Sequence, residues 1–113
     1  MTTVNQDIAI TRGEDIEVVF AIADDLTGCI AELRLREIDG TPLATIVVDV
    51  ESVIEDAGAH WEATVRIPRA TTDDMAAGMY PFAVFATDSD DFTDVPDTDD
   101  VSCLAKGTLT LED

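Results

Sequence analysis

A chain of 113 residues makes one domain with a core of its own, and a 46% hydrophobic content excludes disorder despite a formal charge of −19. Twenty-five acidic residues face five arginines and one lysine, Lys106, which excludes nucleic acid and anionic membrane surfaces as natural partners, because both are bound by cations that neutralise phosphates. No apolar run approaches the length of a membrane span, and Cys29 and Cys103 are too few for a disulfide framework and lack metal-ligand spacing.

In chain order, "MTTVNQDIAI" lacks a basic segment followed by an apolar one, so it is expected to begin a soluble, unexported chain. From there, apolar and polar residues alternate with the period of a half-buried strand. "QDIAIT" puts Ile8 and Ile10 on one face. After the turn "RGED", Ile16, Val18, Phe20 and Ile22 alternate with Asp15 and Glu17. "CIAELRLREI" turns Cys29, Ala31, Leu33 and Leu35 inward and Glu32, Arg34 and Arg36 outward. "DGTP" is a turn, with Gly40 free to take positive φ and Pro42 setting the chain direction. "ATIVVDVE" then aligns Ile46, Val48 and Val50.

"DAGAH" is expected as a loop around Gly58, followed by "WEATVRIP" with Trp61, Ala63, Val65 and Ile67 inward. "TTDDMAAG" predicts one short helical turn, capped by Thr72, with Asp73 and Asp74 near its N-terminus and Gly78 ending it. "MYPFAVFAT" is apolar on both faces, which predicts a central strand, while Pro81 argues against full pairing because it has no N–H to donate. "CLAKGTLTL" closes the chain with Ala105, Leu109 and Leu111 on one face. Seven strands and one helical turn predict an all-β, single-domain fold over residues 1–113, an immunoglobulin-like antiparallel β-sandwich. The run 88–100 is then the acidic hairpin loop between the last two strands.

That loop, "DSDDFTDVPDTDD", holds seven aspartates in thirteen residues. Asp88, Asp90, Asp91 and Asp94 are candidate oxygen ligands for Ca2+, Mg2+, K+ or Na+. Counting from Asp88, however, Thr93 and Asp99 stand where an EF-hand loop needs Gly and Glu, so a solvated loop without a cofactor is expected. His60 at a strand start is expected at the surface. Cys29 and Cys103 are expected as free thiols, since their strands flank a third and so lie about 10 Å apart, beyond the roughly 7 Å a disulfide spans.

No nucleophile elbow or phosphate loop is present, and the single histidine leaves no base-bearing triad, so no enzyme activity is expected. "RGED" lacks the adjacent aspartate of an adhesion tripeptide and serves as a turn. Two surfaces are candidates for attachment. One is a mixed-charge face of Glu32, Arg34 and Arg36 with Glu62, Thr64 and Arg66, expected to neutralise itself across strands. The other is the apolar face of Met79, Pro81, Ala83 and Phe85, expected to be covered by a neighbouring subunit in an oligomer. The Asp-rich, Lys-poor composition fits a salt-in halophile, in which molar salt shortens the Debye length to about 3 Å and screens the repulsion of a −19 chain.

The succession of "ITRGEDIEVVFAI", "LTGCIAELRLRE", "HWEATVRIPRATTDDMAAGMYPFAVFA" and "CLAKGTLTLED" resembles the small immunoglobulin-like modules of tailed-phage virions, such as the N-terminal domain of phage baseplate upper proteins. The matching positions are Gly13 with Asp15, Leu26-Thr27-Gly28, Arg34 and Arg36, Thr72 through Gly78-Met79-Tyr80, and Gly107. Pro81 and the 88–100 insertion depart from that pattern, as does the lack of a fibre part. The resemblance implies a non-enzymatic virion component, assembled in the host cytoplasm, that docks on other virion structural proteins as a tail, baseplate or neck adaptor. Capsid decoration is the alternative, and a cellular immunoglobulin-like binding module is the alternative of another class.

Overall fold

The computed structural model describes residues 3–23, 25–55, 58–89, 91–93, 95–96 and 102–112. Its elements in chain order are β1 (Val4–Asn5), β2 (Ile8–Thr11), β3 (Ile16–Ile22), β4 (Ile30–Arg36), β5 (Pro42–Glu55), β6 (Gly58–Ile67), α1 (Arg69–Asp73), β7 (Gly78–Thr87) and β8 (Cys103–Glu112). All seven predicted strands are present, and β1 is an addition to them.

The eight strands form one sheet, which folds over at β5 into two layers. One layer runs β1/β2–β8–β7–β4–β5 and the other β5–β6–β3. Antiparallel pairing links β8, β7, β4, β5, β6 and β3, while β1 and β2 lie parallel to β8. The neighbours β4–β7–β8 and β3–β6 are those of strands C–F–G and B–E in an immunoglobulin-like sandwich. Tyr80, at the start of β7, donates its hydroxyl to the Ala76 carbonyl, four residues upstream, as the tyrosine corner of such folds does.

β5 is longer than expected, running on past Val50 to Glu55. Its first half pairs with β4 and its second with β6, and Val48 is the partner of both Ala31 and Val65. The segment expected as the "DAGAH" loop is mostly strand, with Glu55 paired to Gly58 and His60 to Val53. Inward residues of both layers meet in one core that includes Phe20, Ile22, Leu33, Val65, Val84 and Leu109. Phe20 and Phe82 face each other across the layers with ring centroids 6.1 Å apart.

Pro81 sits inside a strand paired on both sides, and the hydrogen bonds explain why it is tolerated. Its partner across β8 is Thr108, whose N–H points the other way and donates to Asp7 at 3.0 Å. Pro81 therefore directs its missing donor toward β4, whose ladder with β7 ends at Leu35 and Phe82.

The helical turn departs from its expected cap. α1 starts earlier, at Arg69, and Thr72 lies within it, fully buried. Thr72 Oγ1 donates to the Arg69 carbonyl (3.0 Å) and accepts from the Gly13 N–H (3.3 Å). The carboxylate that serves the first turn comes from far away in sequence, as Asp15 accepts the Arg69 N–H at 2.7 Å. Arg12 completes the clasp by donating to the Asp73 carbonyl at 3.2 Å. Turn 12–15 and α1 thus hold each other through reciprocal bonds. Thr72→Val keeps the side-chain shape but leaves buried polar groups without that hydroxyl, so it is expected to cost about 1–3 kcal/mol in chemical denaturation. An unchanged midpoint would mean that the clasp does not stabilise the fold.

Candidate docking face

The two outer faces of the sandwich carry opposite chemistry. On the β5–β6–β3 layer, Glu17, Asp49, Glu51 and Glu62 point outward with a single arginine, Arg66. Arg66 is clamped between Glu17 (3.2 Å) and Asp49 (2.5 Å). Glu62 lies 3.5 Å from His60 Nε2. This face is acidic, like the composition of the chain.

The outer face of the β8–β7–β4–β5 layer is not. Register places Arg34, Ala83 and Lys106 side by side on three adjacent strands, with Thr45 beyond Arg34. Arg36 lies one pleat along β4, and Thr108 and Thr110 one and two pleats along β8. The carboxylates projecting from β8, β7, β4 and the half of β5 that pairs with β4 are Glu32 and Glu112, and Glu32 is held by Arg34 at 2.7 Å. Asp49, the next outward residue along β5 after Val47, begins the acidic side. Val47 is 80% exposed, Met79 56% and Leu43 38%. Between Arg36 and Lys106 the small residues Pro81, Ala83 and Gly107 leave a shallow open groove of about 410 Å3, bordered by Asn5 and Thr108. Three of the six cations of a −19 chain thus share one face.

The acidic loop bounds this face, and it is anchored by residues that the sequence reading passed over. Phe92 and Val95 fold back onto Phe85 and Cys103 in a small apolar cluster separate from the main core. The Arg34 guanidinium stands 4.7 Å from the Phe85 ring and 5.8 Å from the Phe92 ring, a cation–π arrangement on both. A bulge between Val84 and Phe85 sets Phe85 opposite Cys103 and places Leu104 in the main core. The signal in the sequence was an aromatic and a valine inside an otherwise polar run.

The predicted attachment surfaces are therefore redrawn. Phe85, expected under a neighbouring subunit, is 1% exposed and covered by its own chain. Met79, Pro81 and Ala83 remain on the outer face. The two halves of the mixed-charge face are separated by β5, with Glu32, Arg34 and Arg36 on β4 and Glu62, Thr64 and Arg66 on β6. Arg34 pairs with Glu32, and Arg66 pairs across strands with Glu17 and Asp49.

Of the candidate cation ligands, Asp88 and Asp91 are exposed, and Asp90 and Asp94 lie outside the described residues. Among the described residues no three His, Cys, Asp or Glu side chains gather as a metal centre. Asp91 is occupied in an Asp-x-Thr turn, accepting the Thr93 N–H at 3.1 Å. The same turn recurs at Asp25, which accepts from the Thr27 hydroxyl (2.6 Å) and N–H (2.9 Å), and at Asp39, which accepts the Thr41 N–H at 2.9 Å.

These bonds favour the charged carboxylates. Asp25 and Asp39 are held below the ordinary 3.8 mainly by the threonine hydroxyls, and Asp91 mainly by the Thr93 N–H. A lowered folded-state value adds stability that is complete above the unfolded value and is lost as pH falls through the folded one. The turns are thus expected to loosen only below about pH 4. Proton titration by NMR checks this, and Thr27→Val is expected to move Asp25 back toward 3.8.

Both cysteines are free thiols. Cys103 is buried and its Sγ lies 3.4 Å from the Ala105 carbonyl. Half-buried Cys29 is pushed up by desolvation and then by the carboxylates of Asp88 and Asp25, which keeps it a protonated, weak nucleophile. Trp61 packs partly buried against the core, as expected. No helix among the described residues is long and apolar enough to cross a membrane. No protein-family model matches the chain, and no curated protein matches it.

Proposed function

We propose that the protein is a non-enzymatic assembly module of a tailed virus particle, an adaptor of the tail, baseplate or neck that docks on other virion proteins. The observation that carries this reading is the acid-poor outer face of β8, β7 and β4, with exposed Met79 and the three cations Arg34, Arg36 and Lys106, on a chain of net charge −19. An acidic chain adapted only to remain soluble gains nothing from withholding carboxylates from one broad sheet face. A face that seats a partner does gain, because each buried carboxylate would have to be desolvated. The sequence resemblance to virion modules supplies the class of assembly, and the Asp-rich composition supplies a halophilic host. A sandwich with such a face also suits capsid decoration, which differs in copy number.

Quantitative mass spectrometry of purified particles tests the reading. The chain is expected at fixed stoichiometry, in a few ring multiples for an adaptor or hundreds of copies for decoration. Absence from particles that infect normally would sink it.

A further inference from the structure

We infer that the acid-poor face seats a second copy of this chain, which presents its acidic β5–β6–β3 face, so that copies add head to tail. The inference deepens the assembly reading by naming the partner.

Charge and apolar pattern select this occupant. The acid-poor face offers Arg36 and Lys106, with exposed Met79 two pleats along β7 from Ala83 and exposed Val47 at its border opposite Glu32. The opposite face offers Glu51 and Glu62 near Val19, which is 43% exposed. Each therefore sets exposed apolar side chains beside an excess of the charge that is in deficit on the other. Two acid-poor faces meeting each other would oppose cation to cation, and two acidic faces would oppose carboxylate to carboxylate. Only the heterologous pairing sets unlike charges together. The molecule extends 39 × 33 × 22 Å, dimensions that leave room for the roughly 800 Å2 per partner of a standard interface.

Because the two faces lie on opposite sides of the slab, each copy that docks leaves a fresh face of each kind. The result is a ring or stack rather than a closed dimer. Salt acts on this contact in an unusual direction. At low ionic strength the −19 chains repel over tens of ångströms, while molar salt cuts the Debye length to about 3 Å and spares pairs in contact. Association is expected to rise with KCl.

Sedimentation velocity on the intact chain, across low to multimolar KCl and with folding followed by circular dichroism, tests this. The wild type is expected to grow beyond a dimer as KCl and protein concentration rise. Met79→Glu spoils the acid-poor face and Val19→Lys the acidic one, both at exposed positions. Each alone is expected to weaken self-association at least about tenfold. Mixed, the two variants retain one intact face each and should stop at a one-to-one dimer.

A folded wild type that stays monomeric at every KCl overturns the inference. So does Val19→Lys that still self-associates like the wild type, which would mean a symmetric contact. A mixture that does not dimerise counts against it equally. Particle content is decided separately, so a chain found in virions yet monomeric alone would fail this inference and leave the assembly reading standing.

Discussion

Gly107→Ala is expected to lower the unfolding free energy by about 3 kcal/mol, the upper end of what one added methyl costs in a tightly packed site. A Cβ at residue 107 would lie 2.0 Å from the Gln6 carbonyl oxygen and 2.7 Å from the Gln6 carbonyl carbon. The obstacle is main chain, and it is fixed on both sides. Asn5 pairs with Lys106 and Ile8 with Leu109, so Gln6 and Asp7 pass over Gly107 and Thr108 while held at either end. Gln6 N–H donates to the Lys106 carbonyl, and the Asp7 carboxylate accepts from Thr108 N–H. The methyl must therefore displace β1 and part of β2 from β8.

Gly40→Ala is the control. Gly40 has φ +92° in the turn between β4 and β5, with open space around it, so only left-handed backbone strain of about 1–2 kcal/mol is expected. Equal melting-temperature losses for the two variants would show that the crossing at Gly107 is looser than its geometry. Gly107 also belongs to the set of positions on which the resemblance to virion modules rests. Its role here is to admit the N-terminal segment, a structural reason for a glycine at that point in the last strand.

Period-two alternation exposed the fold and little of the docking face. Ile16 through Ile22, Ala31 through Leu35 and Trp61 through Ile67 each place inward residues in the core at the parity that their sequence shows. A strand buried on one face is legible because a slip of one residue would expose every apolar side chain. Alternation ends β5 early because it lapses at Glu51 and Ser52, and it cannot tell that one strand changes partners at Val48. The clasp of Thr72 with Gly13 was illegible for a related reason. A threonine before two aspartates has the local signature of a cap, and only the long-range approach of turn 12–15 gives it another use.

The acid-poor face needed registry. Arg34, Ala83 and Lys106 are neighbours because three strands line up, and nothing local in any of them says so. The cover over Phe85 was assigned to another subunit because a strand apolar on both faces needs a second layer, whatever its source. Here the source is ten residues or fewer along the same chain, where Phe92 and Val95 stand isolated among aspartates and carry no periodic signal.

Phe85→Ala is accordingly expected to cost about 3–4 kcal/mol, as for a buried phenylalanine rather than a surface one. The ring fills the space between Val95 and Cys103 and forms the inner wall against which Arg34 rests. Its removal leaves a cavity outside the main core and takes one aromatic face from Arg34. Phe92→Ala acts on the same cluster from above and is expected to differ in kind. Phe92 is only half-buried, so its loss should cost far less globally while freeing the loop, seen as faster proteolysis near residues 88–96 with an almost unchanged melting temperature.

The contrast carries the point about the loop. Carboxylates keep it hydrated, but two apolar side chains decide where it lies, and by covering Phe85 they set one boundary of the docking face. If Phe85→Ala cost less than about 1 kcal/mol, as a surface substitution does, Phe85 would return to the exposed surface and the face would extend beneath the loop. A full-size loss together with wild-type self-association in high KCl would instead place the contact on Val47, Met79 and the cations alone.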